Sequence, residues 1–310
     1  MEILPPKISV VVITYNQEDI ISRALDSVLC QKDYVFEIII CDDCSTDRNW
    51  EVILEYQSKY PDLIKPHRND KNLGIFKNLE STWSKPVGDL ILFLAGDDAI
   101  LPGLFQKVFE LIEKEKIKYN QGSYSIFTDS MIIKPDGSQI RKTNHLIAQG
   151  HSSISLKIRG LIGSLRGVLH SKELISKLEP VHKYIGIYTD GLYDTQFHIH
   201  SERNYYIDFV GGIYYSGIGV ASKTKKTESL RSLVQLYAEL STIPNLDKKD
   251  IAYLKLKKGV NEFYLNPSFK KYLLSWKLYI KSIRINYGYS FLNDFKAIIK
   301  MSKILLSGKS

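Results

Sequence analysis

The chain is 310 residues long, 44% hydrophobic and 25% charged, which suits a folded protein with a sizeable core and excludes a disordered one. Three cysteines exclude a disulfide scaffold, and no apolar stretch approaches the length that spans a bilayer. The formal charge of +8 is unevenly placed: residues 221–310 carry 18 Lys and Arg against 6 Asp and Glu, whereas residues 1–220 carry 24 against 28. A neutral-to-acidic body at 1–222 and a basic module at 223–310 are therefore expected. The first residues lack the basic start and long apolar segment of a signal peptide, so the expected compartment is the cytosol.

In chain order, Ile8–Ile13 is a β-branched strand, Thr14-Tyr15-Asn16-Gln17 a turn, and Asp19–Leu29 a helix with apolar residues at helical spacing. Phe36–Cys41 is a second strand, followed by Asp42-Asp43-Cys44-Ser45-Thr46-Asp47, whose last three residues suit the cap of a helix through Trp50, Ile53 and Tyr56. A short strand at Ile64–His67 and a helix near Lys77–Trp83 lead to the apolar run Leu90–Ala95, which ends in Gly96-Asp97-Asp98. That run reads as a strand buried on both faces. Strands alternating with helices predict an α/β fold with a parallel sheet. Further on, Ser123–Ile133 predicts a strand with a hairpin turn at Pro135-Asp136-Gly137-Ser138, and Ile162–His170 another strand. A helix at Ser171–Leu178, a helix at Tyr188–His200 and a strand at Tyr205–Ile207 follow, with helices from about Thr227 to the end.

Each strand's carboxyl end carries polar residues: Thr14, Tyr15 and Asn16; Asp42 and Asp43; Lys77 and Asn78 after the third strand; Asp97 and Asp98. In an open parallel sheet these ends border one crevice, where ligands bind. An aromatic ring can stack on a base, a carboxylate can accept from a base N–H or a ribose hydroxyl, a lysine can meet a phosphate, and an acidic pair can hold a divalent cation on a diphosphate. The bland alternative for Asp97-Asp98 is a solvated turn. Neither a G-x-G-x-x-G nor a P-loop follows the first strand, so a nucleotide would be held by side chains and a metal. Cys41-Asp42-Asp43-Cys44 has the spacing of a redox or half-zinc motif, but no second pair completes it.

Ile8–Asn16 (ISVVVITYN), Ser27-Val28-Leu29-Cys30-Gln31, Asp42–Asp47, Asn72-Leu73-Gly74 and Gly88–Asp98 together resemble the family 2 glycosyltransferases of the GT-A fold. The resemblance implies a Rossmann-like, mostly parallel central sheet flanked by helices, with a helical carboxy-terminal extension here. It implies an inverting transferase that moves a sugar from a nucleotide-diphosphate donor, a UDP-sugar, to a hydroxyl of a glycan or lipid-linked glycan, as in surface polysaccharide synthesis. By the same resemblance Tyr15 and Asp43 meet the base, with Asp42 and the Thr14 backbone nearby. Lys77 and Asn78 lie near phosphates and sugar, Asp97 binds Mn²⁺ or Mg²⁺, and Asp98 supports it. The chain departs from the family's D-x-D at Ala95, where the first Asp would stand. Asp190, eighteen residues before the Tyr205-Tyr206-Ile207-Asp208 strand end, corresponds to the family's general base, with Asp194 one helical turn on as its rival. A non-catalytic nucleotide-sugar-binding subunit is the alternative reading.

The last helix places Phe291, Leu292, Phe295, Ile298, Ile299, Leu305 and Leu306 on one face, with Lys296, Lys300 and Lys303 around it. Leu273, Leu274, Trp276 and Tyr279 upstream stand among Lys270, Lys271, Lys277 and Lys281. Such a module suits an anionic membrane surface, with packing on the body of the protein or on a second subunit as the other candidate. Its lysines alternate with large aliphatics in helical register, which disfavours nucleic acid as the partner.

Overall fold

The computed structural model describes residues 5–149, 153–158, 165–218, 224–284 and 291–307. The strands are β1 (Ile8–Thr14), β2 (Val35–Asp42), β3 (Ile64–Arg68), β4 (Leu90–Ala95), β5 (Ala99–Ile100), β6 (Tyr124–Ile133), β7 (Gln139–Lys142), β8 (Leu169–Ser171) and β9 (Arg203–Tyr215). The helices of the first two-thirds are α1 (Ile21–Leu29), α2 (Asn49–Lys59), α3 (Ile75–Glu80), α4 (Leu104–Glu115), α5 (Ser153–Ile158), α6 (Lys172–Ser176) and α7 (Thr189–His200). After them come α8 (Lys226–Leu240), α9 (Lys248–Leu265), α10 (Phe269–Arg284) and α11 (Phe291–Ser307).

One sheet runs β3-β2-β1-β4-β8-β6-β9-β5, with β7 paired to β6. The first four strands are parallel, as the βα alternation of the sequence requires. Beyond β4 the sheet becomes mixed: β8 is antiparallel to β4 and β6, β9 parallel to β6, and β5 antiparallel to β9. The strand expected at Ile162–His170 is observed as Leu169–Ser171; residues 162–164 lie outside the described residues. Just before it, the Val168 amide bonds the Leu165 carbonyl at 3.0 Å and Gly167 takes φ +73°, so the chain turns there instead of extending.

The β-branched runs are buried on both sides of the sheet. Val10 and Val12 of β1, Ile38 and Ile40 of β2, and Leu90, Leu92 and Leu94 of β4 pack with Ala24, Leu25, Ile53 and Phe105 from α1, α2 and α4. The alternate residues Val11, Ile39, Cys41 and Ile91 meet Leu174, Ile175 and Phe197 on the other face. This alternation is the period-two geometry of a strand, and burial on both faces explains why the runs are continuously apolar.

The chain forms two compact units: 1–153, 162–180 and 196–222 make the first, and 154–161, 181–195 and 223–310 the second. The second has its own core, in which Leu254, Leu256 and Phe263 of α9 meet Leu240, Tyr279, Ile298 and Met301. The single-face reading of the last helix therefore divides: Ile298 is buried, whereas Phe295, Ile299 and Leu306 are exposed. Phe291 and Leu292 have side chains outside the described set. No helix among the described residues is long and apolar enough to cross a membrane.

Candidate functional site

Parallel register sets Thr14 opposite Asp42 and Ile13 opposite Ala95, so the segments after β1, β2 and β4 emerge at one edge of the sheet. The edge is laced by backbone bonds: the Asp43 amide donates to the Thr14 carbonyl at 3.0 Å, and the Gly96 amide to the Ile13 carbonyl at 2.9 Å. A Cβ at Gly96 would lie 2.3 Å from Gln17 Oε1 and 3.0 Å from Thr14 Oγ1, so a side chain there would displace Gln17 and crowd Thr14 where the β4 turn meets the β1 turn. Tyr15 is 42% exposed at this edge. Asn16 takes φ +49° and accepts the Thr46 amide on its side-chain oxygen at 2.8 Å, tying the first turn to the second.

The acids of this edge sort by what holds them. Asp42 is fully buried; one carboxylate oxygen accepts from the Ser45 hydroxyl and from Asn49 Nδ2 at 2.8 Å. The other accepts the Ser45 amide at 3.0 Å and faces Arg68 Nε at 3.3 Å, so its acceptor directions are filled. Asp43 accepts Asn69 Nδ2, the Leu73 amide and the Gly74 amide, each at 2.8 Å. It thereby closes the 69–74 loop on β2. Asn78 extends this tie, donating to the Cys41 carbonyl at 3.1 Å and accepting Asn69 Nδ2 at 2.9 Å, which fixes α3 beside the end of β2. Lys77, its neighbour on α3, is exposed.

Asp98 is buried and accepts from Arg166 Nε at 2.5 Å. Burial pushes its carboxyl up to about 6 against the pull of that guanidinium, with the nearby Asp97 charge adding to the rise. Asp97 differs. Its backbone carbonyl accepts Arg23 Nη2 at 2.6 Å, while its half-exposed carboxylate has no hydrogen-bonding or ionic partner among the described residues. Thus Asp42, Asp43 and Asp98 are engaged within the protein, and Asp97 offers an open carboxylate.

Sequence reasoning missed the two arginines and their supports. The Arg23 guanidinium lies 3.5 Å over the Tyr215 ring, and that of Arg166 lies 4.1 Å over Tyr214. The antiparallel pairing of Ala99 with Ile213 brings these β9 tyrosines to the Asp97-Asp98 turn. Nothing in the local pattern of either segment signals a pairing across more than a hundred residues. Cys41 and Cys44 are free thiols; Cys41 belongs to the core, where burial pushes its thiol up to about 11.

In the second unit, Asp190 lies in the first turn of α7, exposed, and accepts the Gly191 amide at 2.8 Å. Asp194 forms a half-buried ion pair with Lys157 Nζ at 2.6 Å. Tyr188 nearby is pushed up mainly by burial and then by the Asp190 charge. Among the described residues, no three His, Cys, Asp or Glu side chains cluster as a metal cage.

The profile of Glycosyl transferase family 2 matches residues 9–172, which hold β1 to β8 and every residue of the strand-end site except the β9 tyrosines. The chain belongs to that family, and its α/β architecture is the GT-A fold. It is 37% identical over 98 residues to a poly(ribitol-phosphate) beta-glucosyltransferase of Bacillus spizizenii, a match spanning 30% of this chain and 15% of that protein. Across the curated relatives the matches span 15% to 40% of those proteins' lengths. Residues 1–349 of S. aureus TarS, solved with UDP-GlcNAc, share the fold at a TM-score of 0.61 and 15% identity, covering 97% of this chain and 92% of that one. A mannosyltransferase from Pyrobaculum calidifontis, solved with GDP-Man and Mn²⁺, does so at 0.53 and 14%, covering 99% and 89%.

Proposed function

We propose that the protein is an inverting glycosyltransferase that moves a sugar from a UDP-sugar to a hydroxyl of a glycan or lipid-linked glycan in surface polysaccharide synthesis. The observation that carries this reading is the open carboxylate of Asp97 at a strand-end crevice where Asp42, Asp43 and Asp98 are all engaged within the protein. Family membership and the name of the poly(ribitol-phosphate) beta-glucosyltransferase relative support sugar transfer to a surface polymer. The UDP-GlcNAc bound to TarS, a protein of like fold, supports a uridine donor.

The donor set fits a cation that arrives with its nucleotide. Asp97 supplies one carboxylate and Ala95 none, and Mg²⁺ or Mn²⁺ on a diphosphate takes most of its oxygens from phosphate and water. When bound, such an ion supplies Lewis-acid stabilisation of the departing diphosphate, as the Mn²⁺-bound mannosyltransferase of like fold encourages. The chain's own residues do the rest. Tyr15 offers a ring to the base, Lys77 a cation to phosphate, and Arg23 and Arg166 hold the Asp97-Asp98 turn by its backbone and its second carboxylate. Asp190, exposed in the first turn of α7, takes the acceptor's proton; Asp194, the rival, is half-buried beside Lys157.

Thermal shift with UDP-sugars and Mn²⁺, followed by a transfer assay, tests this reading. Donor-dependent stabilisation is expected only with the metal, and is lost in Asp97→Asn. Asp190→Asn keeps that stabilisation and loses turnover by about a hundredfold or more. Equal nucleotide binding in chelator overturns the metal assignment, and loss of turnover in Asp194→Asn with Asp190→Asn active overturns the base. Donor binding with neither transfer nor donor hydrolysis favours the non-catalytic binding subunit.

A further inference from the structure

The proposed chemistry leaves one surface of the second unit without a task. On α10 the exposed positions among the described side chains are Phe269, Lys270, Leu273, Leu274, Lys277, Ile280 and Lys281, whose spacing of three and four sets them along one side of the helix. On α11 Phe295, Lys296, Ile299, Lys300, Lys303 and Leu306 repeat the arrangement. Leu273 and Leu306 are 51% and 88% exposed, unusual for aliphatic side chains on helices that also contribute to a core. The Trp276 and Phe295 rings meet edge-on with centroids 6.1 Å apart, which joins the two stripes at the helix seam. From Phe263 to Ser310 the sequence holds a single acid, Asp294, and it is buried against Lys257 Nζ at 2.6 Å. The outward face therefore alternates aliphatic and cationic side chains with no carboxylate between them.

We propose that this face docks on an anionic lipid bilayer. Its aliphatic and phenyl side chains enter the acyl boundary, and the lysines reach back along their own stems to headgroup phosphates. Charge complementarity selects this occupant. A two-fold pairing with a second copy would set lysine against lysine with no acid to relieve it. A nucleic-acid strand needs a row of rings presented as stacking platforms, whereas Tyr279 is buried, Trp276 packs edge-on against it at 5.8 Å, and the exposed Phe269 and Phe295 stand among aliphatic side chains. Leucine and isoleucine at the exposed positions add nothing to a nucleic-acid contact; at a bilayer interface they add buried apolar area while the lysines beside them stay hydrated at the headgroups.

Sedimentation of the full chain with vesicles of phosphatidylcholine alone, or mixed with phosphatidylglycerol, tests the proposal. Binding to the mixed vesicles is expected to be about tenfold tighter or more, and to weaken as salt rises. The triple variant Lys277→Glu/Lys281→Glu/Lys300→Glu loses the preference, with Lys300→Glu alone lowering it. Leu273→Ser/Leu274→Ser weakens binding to both vesicle types at an unchanged melting temperature, since both positions are exposed. Equal or absent binding to the two vesicle types overturns the proposal. So does a dimer in light scattering that the leucine variant dissolves, or salt-sensitive binding to single-stranded RNA without any to vesicles.

Discussion

Burial decides what the ionisable residues of this protein do. Asp98 and Asp97 are neighbours in sequence, yet one is buried against Arg166 and the other open, because the β4 turn directs only one of them into the sheet edge. His170 is an example away from the site: it lies in β8, stacks on Phe197 with centroids 4.0 Å apart, and shares a hydrogen bond with the Ser125 hydroxyl at 2.9 Å. Complete burial pushes its imidazole down to about 3 from the ordinary 6.5. The unfolded chain binds this proton below 6.5 and the folded chain does not. Its stabilising contribution is therefore fully present above pH 6.5 and is lost as pH falls towards 3, at roughly 1.4 kcal/mol per unit. Denaturant melts at pH 7, 6, 5 and 4 are expected to show a shallower acid loss in His170→Asn, which keeps a polar partner for Ser125, than in the native chain. Parallel slopes would show that His170 is not held neutral.

The elements at the sheet edge are positioned by side chains that the sequence presents as ligand contacts. Asp43 is the clearest example, since its carboxylate caps the Leu73 and Gly74 amides before α3. Gly74 sits at φ +82°, a conformation that leaves its amide aimed at Asp43 and that a side chain would strain. Asp43→Ala is expected to release the 69–80 segment, with hydrogen exchange at Leu73 and Gly74 accelerating about tenfold or more. Asp43→Asn retains an acceptor and slows that loss. If exchange in the alanine variant matches the native chain, the loop is held by something other than this carboxylate.

At the level of the whole molecule, the two units have separate cores, so damage to one is expected to stay there. Leu254 is fully buried in the second core. Leu254→Ala should lower that unit's stability by about 2–5 kcal/mol, the usual range for a truncated core leucine. Exchange protection in α8 to α11 then falls, while β1 and β2 keep theirs. Uniform loss across both units would show that they unfold as one.

The parallel half of the sheet was legible because its information is local. Each β-branched run is long enough to be buried on both faces, each crossover helix carries its own periodicity, and Thr14 and Asp42 end their strands while Asp97 comes two residues after its own. The order of short motifs carried the family for the same reason. What the tertiary structure alone decided is the mixed half, where β8 runs against β4 and β5 pairs with β9 across the chain. Those pairings bring Arg166, Tyr214 and Tyr215 to the Asp97-Asp98 turn and settle that Asp98, of the two, is the engaged carboxylate. Residue types and spacing named the acids of the site; packing of Arg166 from a distant segment onto Asp98 determined that, of this pair, Asp97 is the one left open among the described residues.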